Sequence, residues 1–344
     1  MITNPALRYD GGCKQESQRV EEAVKITMQI LAATVMLAVS PALLAQGAAK
    51  RPVRALTPAT PGGPGDTQIR LLSPKMSEVL GQIIIIDNRA SNNGIVAMDL
   101  VARSAPDGHT WAVGNSGTHS VNPALYKQLS YDALRDFVAV SQFSTTGMVV
   151  TGNPRLPGGS SINDLIAHAK KMPGKTNIAI PGATGELAGD ALWSQLQVKM
   201  TNVPYRGSAP SLLAVMAGEA DIALLTPLAV QAHLQSGKVK AYGVTSRERS
   251  PILPDVPTIA EQGVAGYDFP YWNGLFVAKG TPDKIVRDLH RAVLAALAEP
   301  DVKERFKQLG LVAVGNTPEE FREIVRRDVE KYRKLVKESG IPQL

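Results

Sequence analysis

Short apolar runs alternate with amphipathic stretches along the chain from Arg54 onward. This alternation is typical of βαβ units, in which buried parallel strands are joined by helices. The run Ile83–Ile86 consists of consecutive isoleucines, a composition that predicts a strand buried on both faces. The strands predicted in this way are Val53–Thr57, Ile83–Asp87, Thr110–Val113, Met148–Thr151, Asn177–Ile180, Ile222–Leu225 and Ala241–Val244.

Apolar residues spaced by three and four positions predict helices between these strands. The helix over Gln68–Leu80 would be capped by Asp66 or Thr67, and Pro74 inside it predicts a kink or a late start. The other predicted helices are Ser161–Lys171, Ala209–Ala217, Leu228–Gln235, Pro282–Ala298 and a last one from Pro318 through Val336. Strands that alternate with helices place the chain in the α/β class.

A chain of 344 residues is too long for one simple core and predicts two compact lobes. Two extended segments, Met148–Thr151 and Leu275–Ala278, are the expected crossings between the lobes. The first lobe would then comprise residues 50–148 plus 275–344, and the second lobe residues 149–274. A cleft between two lobes is a usual place for a small ligand.

Composition and charge exclude several classes of protein. The net charge is +6, with 37 Lys and Arg against 31 Asp and Glu, and the basic residues are scattered. A basic stripe is typical of nucleic-acid binding, so we expect no nucleic-acid partner. The only cysteine, Cys13, precedes the first predicted strand, and no two histidines have the spacing of metal ligands. The glycine-rich loop before Gln68 is neither a P-loop nor a dinucleotide fingerprint, so we expect no metal and no cofactor.

Residues 1–48 are predicted to be a presequence and signal peptide. The mostly apolar segment Ile26–Val39 is shorter than the roughly 20 residues of a transmembrane helix, and small residues follow it. This pattern is typical of a secretory signal, and we expect cleavage after Ala45 or Ala48. The charges ahead of the apolar segment are balanced, which leads to the hypothesis that translation begins at Val24.

Two loops rich in glycine and hydroxyl residues, Thr60–Thr67 and Gly114–His119, each follow a predicted strand directly. Glycines let the backbone approach a ligand, and consecutive N–H groups in such turns bind an anion without a charged side chain. The loops therefore favour a receptor for a small carboxylate over an enzyme. The candidate residues are Gly62, Gly63, Gly65, Asp66 and Thr67 in the first loop and Ser116, Gly117, Thr118 and His119 in the second.

Other interpretations of these segments stay open. The first loop could be a simple strand-to-helix turn. In the second, Ser116 with His119 as its base would make a hydrolase or a carboxylate-processing transferase, although the G-x-S-x-G elbow is absent. A further turn, Tyr205–Pro210, follows the apolar run Met200–Val203, and Arg206 there would either pair with a carboxylate or lie in solvent.

A series of ordered motifs extends over nearly the whole chain after the signal peptide. The motifs are Arg51–Arg54, Pro61–Gly63, Gly81–Gln82, Asp87–Arg89, Ala105–Gly108, Ser116–His119, Asn122–Tyr126, Val203–Pro210, Leu253–Thr258, Gly280–Pro282 and Thr317–Phe321. In this order they resemble the periplasmic substrate-binding receptors of tripartite tricarboxylate transporters, the Bug family. The number of motifs in one order makes the resemblance highly specific.

The resemblance implies a periplasmic-binding-protein-like fold of two lobes, each a mostly parallel sheet flanked by helices, that closes around a ligand in the periplasm. The first-lobe loops, Gly62–Thr67 and Ser116–His119, would hold a carboxylate. A monomeric receptor of this kind catalyses no reaction and presents a dicarboxylate, an amino acid or an aromatic acid to integral membrane permease subunits. The implied second-lobe residues are Gly182, Thr184, Glu186, Tyr205, Arg206, Gly207, Ser208 and Thr226.

The chain departs from the pattern of that family at several positions. Ala59 stands where phenylalanine is frequent, and Ala90–Gly94 replaces a glycine-rich stretch. Glu186 stands where histidine is common. A carboxylate beside a bound anion is costly unless it is paired, so we hypothesise that Glu186 meets an ammonium group and favours an amino acid ligand.

Overall fold

The structure of the protein is a computed structural model that describes Met28 and residues 51–90, 92–205, 207–339 and 343–344. Apart from Met28, the predicted signal peptide and its cleavage sites lie outside the described residues. Within those described ranges, no helix is both long and apolar enough to cross a membrane.

Eleven strands in the described part of the chain form two sheets. All the strands predicted from the apolar runs are confirmed, with ends that differ by no more than one or two residues. The strands are β1 (Val53–Thr57), β2 (Ile84–Asn88), β3 (Thr110–Asn115), β4 (Phe137–Thr146), β5 (Val149–Gly152), β6 (Asn177–Ile180), β7 (Thr201–Pro204), β8 (Ile222–Leu225), β9 (Lys240–Val244), β10 (Tyr271–Ala278) and β11 (Val312–Ala313).

Helices flank both sheets. A π-helical turn, Gly117–Val121, leads directly into the short helix α3. The pattern predicted α1, α4, α6, α7, α8 and α10 but missed α2, α3, α5 and α9. The helices are α1 (Pro64–Leu80), α2 (Ile95–Ala102), α3 (Asn122–Leu125), α4 (Ile162–Lys171), α5 (Ala183–Gln195), α6 (Ser208–Ala217), α7 (Pro227–Gln235), α8 (Asp283–Ala298), α9 (Pro300–Gln308) and α10 (Pro318–Ser339).

Helix α1 begins at Pro64, before the predicted start. The predicted cap at Asp66 or Thr67 is therefore wrong: Gly63 is the cap residue and Asp66 lies in the first turn. Proline suits the first helical position because its φ is already helical and its missing N–H would have had no partner there. Pro74 lies inside the helix, which does not start after it.

The two sheets are mixed, but in each of them most strands run in the same direction, in agreement with the prediction of mostly parallel sheets. The first has the order β11-β4-β10-β3-β1-β2, and the second β7-β6-β8-β5-β9. Strand β1 is parallel to β2 and β3, and β6 is parallel to β7 and β8. Strands β10 and β5 are antiparallel to both of their neighbours. Strands β4 and β5 flank the first point where the chain changes sheet, and β10 follows the second. Antiparallel strands need no helical crossover between them, whereas parallel neighbours do.

The chain crosses from the first sheet to the second between Thr146 and Val149, and it returns before Tyr271. The predicted crossing segment Leu275–Ala278 forms the second half of β10. These crossings support the proposal of a first lobe, residues 50–148 plus 275–344, that is interrupted by a second lobe, residues 149–274. Strand β10 joins the first sheet at Tyr271, which places the return to the first lobe four residues before the proposed boundary.

The isoleucine strand β2 lies at an edge of the first sheet. The side chains of Ile83 and Ile85 are 68% and 49% exposed, so the prediction of a strand buried on both faces is wrong. Ile84 and Ile86 point to the other face and pack on the core beneath α1. Composition alone does not distinguish a central strand from an edge strand, because the difference lies in the neighbours.

Each sheet has helices on both faces. Helices α1 and α8 cover one face of the first sheet, and α2 and α10 cover the other. Helices α4 and α5 cover one face of the second sheet, and α6 and α7 the other. Helix α10 also reaches the second sheet's core, where Tyr332 stacks on Phe269 with ring centroids 4.6 Å apart. This arrangement leaves the loops at the ends of the strands to form the site.

Candidate ligand-binding site

A cavity of about 1060 Å³, here called the main cavity, lies between elements of the first sheet and elements of the second. The loops that follow β1, β2 and β3 line it on one side, and those that follow β6, β7 and β8 line it on the other. The predicted site residues on its wall are Gly117, Thr118, Gly182, Thr184, Tyr205, Gly207, Ser208 and Thr226.

Several helical segments begin at the wall of the main cavity. They are α1, the π-helical turn, α5, α6 and α7, which meet the cavity at Pro64, Gly117, Gly182, Ser208 and Thr226. The N-terminus of a helix carries a partial positive charge and N–H groups without an intrahelical acceptor. The wall therefore attracts anions from more than one direction.

Free backbone donors are clearest in α5. Its first return hydrogen bond runs from the Glu186 N–H to the Gly182 carbonyl, with N and O 3.1 Å apart. The amides of Ala183, Thr184 and Gly185 precede that bond and have no carbonyl one turn earlier in the helix. All three residues line the main cavity.

None of the described residues on the wall of the main cavity carries a formal charge. Its polar side chains are hydroxyls and amides, among them Thr118, Thr184, Ser208, Asn93 and Asn122. Arg206, which could pair with a carboxylate or lie in solvent, is outside the described residues. The described wall thus offers dipoles and hydrogen bonds, the means by which helix N-termini bind carboxylate and phosphate groups.

The Gly62–Thr67 loop is organised around Asp66, which is only 2% exposed. The Gly62 N–H donates to Asp66 Oδ2 (2.8 Å), and the Arg70 Nε–H donates to both carboxylate oxygens (2.9 Å). Asn88 Nδ2 donates to Asp66 Oδ1 (2.9 Å). Burial alone would raise the pKa of Asp66, but these hydrogen bonds lower it below its ordinary value. Asp66 is therefore ionised, and its carboxylate holds the loop together through these hydrogen bonds.

Most of the amides predicted to bind ligand in this loop already have acceptors within it. The Gly63 N–H donates to the Thr60 carbonyl (2.8 Å), and the Thr67 N–H donates to the Gly63 carbonyl (2.9 Å). Gly62 and Thr67 line a smaller cavity beside the main one, whereas Gly63, Gly65 and Asp66 line neither. The loop reaches the main cavity through Thr60 and Pro64.

Two buried polar side chains near the loops, Asn273 and Ser116, have no hydrogen-bond partner among the described residues. Asn273, on β10, is 1% exposed, and neither its Oδ1 nor its Nδ2 has a hydrogen-bond partner among the described residues. The same holds for Ser116 Oγ. A Cβ atom on Gly65 would stand 3.1 Å from Thr57 Oγ1 and 3.6 Å from Asn273 Oδ1, which explains why glycine suits this position. The prediction missed Asn273, whose only sequence signal is an amide within an apolar run.

The second loop presents Thr118 to the main cavity and keeps His119 in the core. The Thr118 N–H donates to Asn115 Oδ1 (2.9 Å), and the Asn115 N–H donates to Thr118 Oγ1 (3.0 Å). His119 Nδ1 lies 2.9 Å from Thr118 Oγ1, and its ring stacks on Phe276 at 3.8 Å between centroids. Burial lowers the pKa of His119 to about 3, so the ring is neutral. His119 therefore supports Thr118 rather than touching a ligand.

The hydrolase interpretation needs a nucleophile in contact with a base. Ser116 Oγ makes no hydrogen bond within the described residues, and His119 Nδ1 bonds Thr118 instead. Neither Ser116 nor His119 lines the main cavity. The geometry thus provides no Ser–His pair at the place where a substrate would bind.

The two lobes meet at Gly117 and Thr184. A Cβ atom on Gly117 would stand 2.8 Å from Thr184 Oγ1, so glycine lets the π-helical turn come this close to α5 without moving the Thr184 side chain. Gly207, at the start of α6, has a φ of +99°, a conformation that glycine adopts without strain. These glycines explain how the backbones of both lobes reach the same cavity.

Glu186 lies apart from the wall of the main cavity. It is half-buried on α5, near Asp190 and Asn202, and Asn202 Nδ2 donates to Asp190 Oδ1 (3.1 Å). Burial, then the negative charge of Asp190, raises the pKa of Glu186. The hypothesis of an ammonium partner for Glu186 thus finds no support in its position, because the turn of α5 directs that side chain toward β7.

The Ala90–Gly94 segment, whose shape the motifs left open, also lines the main cavity through Ala90, Asn93 and Gly94. Asn93 has a φ of +51°, and its Nδ2 donates to the Tyr126 hydroxyl (3.0 Å). Asn122 Nδ2 donates to the Asn93 carbonyl (3.0 Å). An Asn-Gly pair is a signal for left-handed backbone, and it could have flagged this turn.

A two-lobed α/β fold with a large cleft lined by helix N-termini is typical of solute-binding receptors. A family model described as "Tripartite tricarboxylate transporter family receptor" matches residues 68–341. The chain belongs to this family, as the ordered motifs predicted.

Known relatives agree with this assignment. The UPF0065 protein in the tcbD-tcbE intergenic region of Pseudomonas sp. (strain P51) is 37% identical over 84% of this chain and 86% of its own length. The solved structure of Rpa4515 from R. palustris with adipate is 31% identical, with a TM-score of 0.78 over 86% of this chain and 99% of that chain. The structure of the periplasmic binding protein BugD is 32% identical, with a TM-score of 0.76 over 86% and 99% of the two chains.

Proposed function

We propose that this protein is a periplasmic receptor that captures a small dicarboxylate in the main cavity and delivers it unchanged to membrane permease subunits. The observation that carries the proposal is the convergence of helix N-termini from both lobes on a cavity whose described wall has no charged side chain. Adipate, the ligand of the solved relative Rpa4515, has the carboxylate chemistry that such a wall would bind.

Backbone donors suit this task for a physical reason. Each helix N-terminus stabilises an adjacent anion by about 0.3–2 kcal/mol, depending on burial, and several termini act on the same ligand. Because these donors are fixed by the helices, little ordering is needed when the anion arrives. The hydroxyls of Thr184, Ser208 and Thr226 would add hydrogen bonds that select the shape of the ligand.

Closure of the lobes would couple ligand binding to recognition of the receptor by the permease. The wall combines residues of both lobes, and Gly117 meets Thr184 across the cleft. A ligand that contacts both lobes favours the closed form because the open form lacks half of these contacts. The permease would then distinguish filled from unfilled receptor by its shape. The predicted presequence, residues 1–48, supports export to the periplasm, and a monomer suffices because one chain supplies both walls.

The substitution Ser208→Asp tests this proposal. Ser208 is the first residue of α6 and lines the main cavity. An aspartate there suits the start of a helix, so the fold should be retained, but its charge would repel a bound carboxylate. We expect the affinity for adipate, measured by calorimetry, to fall by at least about tenfold, equivalent to ~1.4 kcal/mol.

Ser208→Asn is the matched control, because it has nearly the same size as aspartate and no charge. We expect it to bind adipate within about threefold of the unchanged protein, a loss of less than ~1 kcal/mol. Equal adipate affinities for Ser208→Asp and Ser208→Asn would contradict a binding site that works on the negative charge of its ligand.

A further inference from the structure

A second, smaller cavity of about 230 Å³ adjoins the main one, and we call it the side chamber. Pro64, Ser208, Thr226 and Tyr271 line both the main cavity and the side chamber. A ligand held at the helix N-termini therefore lies next to the mouth of the side chamber. The predicted site residues Gly62 and Thr67 also line the side chamber.

The walls of the side chamber are mostly apolar. Leu228 on α7 and Leu309 and Leu311 from the segment between α9 and β11 contribute to them. Gly310, between the two leucines, comes so close to the second lobe that a Cβ atom there would stand 3.3 Å from Pro227 Cβ. The side chamber thus forms where the two lobes meet, like the main cavity.

Two hydroxyls on the wall of the side chamber, those of Thr67 and Thr146, already have acceptors within the protein. Thr67 Oγ1 donates to the Gly62 carbonyl (3.2 Å), and Thr146 Oγ1 donates to the Gly310 carbonyl (2.9 Å). An apolar group that enters would therefore not deprive these hydroxyls of their hydrogen bonds, whose loss is the usual cost of covering polar atoms. The volume exceeds the ~150 Å³ of an apolar cavity that is known to accept benzene.

We propose that the side chamber receives an apolar tail of the ligand, of the size of one phenyl ring or a short alkyl chain, while the carboxylates remain at the helix N-termini. This inference rests on the proposed function and narrows it: the preferred ligand is a carboxylate with a hydrocarbon substituent rather than a bare dicarboxylate. Burial of the tail would add affinity in proportion to the apolar area removed from water.

The experiment compares succinate and adipate with the same acids carrying a phenyl group on one to four methylenes at C2, by calorimetry on the purified mature protein. We expect the best phenyl derivative to bind at least about tenfold tighter than its parent acid. In Ala229→Phe, whose new ring would fill the side chamber, we expect that gain to disappear and the affinity for the parent acid to stay within about twofold. Ala229 lies in the first turn of α7 and lines the side chamber.

Ala232→Phe is the matched control, because Ala232 lies on the same helix but is exposed and lines neither cavity. It should keep the full gain from the phenyl tail. Leu309→Gln, which makes the chamber polar without filling it, serves as the second variant and should also remove the gain. Circular dichroism of each unliganded variant checks its fold.

The outcomes distinguish failure of the side-chamber inference from failure of the proposed function. If the parent acids bind but no tail adds affinity, the side chamber is not a subsite and the proposed function stands. If the gain persists in Ala229→Phe and Leu309→Gln, or if both variants weaken the parent acids equally, the inference is also wrong. If no acid binds at all, the inference and the proposed function fall together.

Discussion

Replacing Asp66 with alanine is expected to lower the free energy of unfolding by about 2–3 kcal/mol and to abolish measurable carboxylate binding. Asp66 accepts hydrogen bonds from Gly62, Arg70 and Asn88, and removing it takes the acceptor from the Gly62 N–H and the Arg70 Nε–H, while Asn88 Nδ2 keeps its hydrogen bond to the Ala59 carbonyl. Arg70 is 52% exposed and can regain water, which keeps the loss of stability below that for a fully buried pair. Urea unfolding and calorimetry measure the two effects.

Asp99→Ala is a matched control for Asp66→Ala. Asp99 accepts the same paired hydrogen bonds from an arginine one turn later, Arg103 Nε, at 3.0 Å, but it lies on α2 away from the cavities and is more exposed. We expect a loss of no more than about 0.5 kcal/mol and unchanged binding. Equal losses for the two variants would contradict the role given to Asp66.

The contribution of Asp66 should also depend on pH. Its pKa in the folded protein lies below the ordinary value, so its stabilisation is present above the pKa of the unfolded chain. It is lost as the pH falls through the lower pKa of the folded protein. The difference in unfolding free energy between the unchanged protein and Asp66→Ala should therefore be constant near neutrality and shrink as the pH falls below roughly 4.

Gly114→Ala is expected to destabilise the protein by about 2–3 kcal/mol and to weaken ligand binding. A Cβ atom on Gly114 would stand 2.5 Å from the His119 ring and 2.7 Å from Phe276, two stacked rings that cannot separate freely in the core. Movement of His119 would pull on Thr118, which lines the main cavity. Thermal unfolding and calorimetry with adipate measure the two effects.

Gly152→Ala provides the comparison. Gly152 lies on β5 in the second sheet, and a Cβ atom there would stand 2.5 Å from the buried ring of Tyr242, a crowding similar to that at Gly114. It lines neither cavity. Both alanine variants should lose stability, but only Gly114→Ala should lose affinity. If both variants lost affinity to the same extent, the link from His119 to Thr118 would be wrong.

Local pattern was sufficient to predict most elements of the fold. Runs such as Ile222–Leu225 and Asn177–Ile180 became strands with the predicted bounds, because short apolar runs are typical of strands in a sheet covered by helices on both faces. Helix α5 was missed because two glycines interrupt its apolar periodicity. The edge position of β2 and the antiparallel course of β10 depend on which strands become neighbours, which no local pattern contains.

The sequence predicted those parts of the candidate site that are formed by backbone turns. Glycine and hydroxyl residues identified the turn at Gly117, and the family resemblance added those at Gly182 and Gly207; all three line the main cavity. The orientation of side chains was not predictable, because packing decides it. His119 turns into the core against Phe276, and Glu186 lies beside Asp190 rather than on the cavity wall.

The central claim is that helix N-termini on the wall of the main cavity, whose described residues carry no charge, bind the negative charge of an organic acid. Calorimetric titration of the mature protein with the dicarboxylates from malonate to suberate, each against its neutral diamide, tests this claim most directly. We expect that at least one dicarboxylate binds and that its diamide binds at least about 100-fold more weakly, a difference of ~2.7 kcal/mol. A diamide of equal affinity, or no binding by any of the acids, would contradict it.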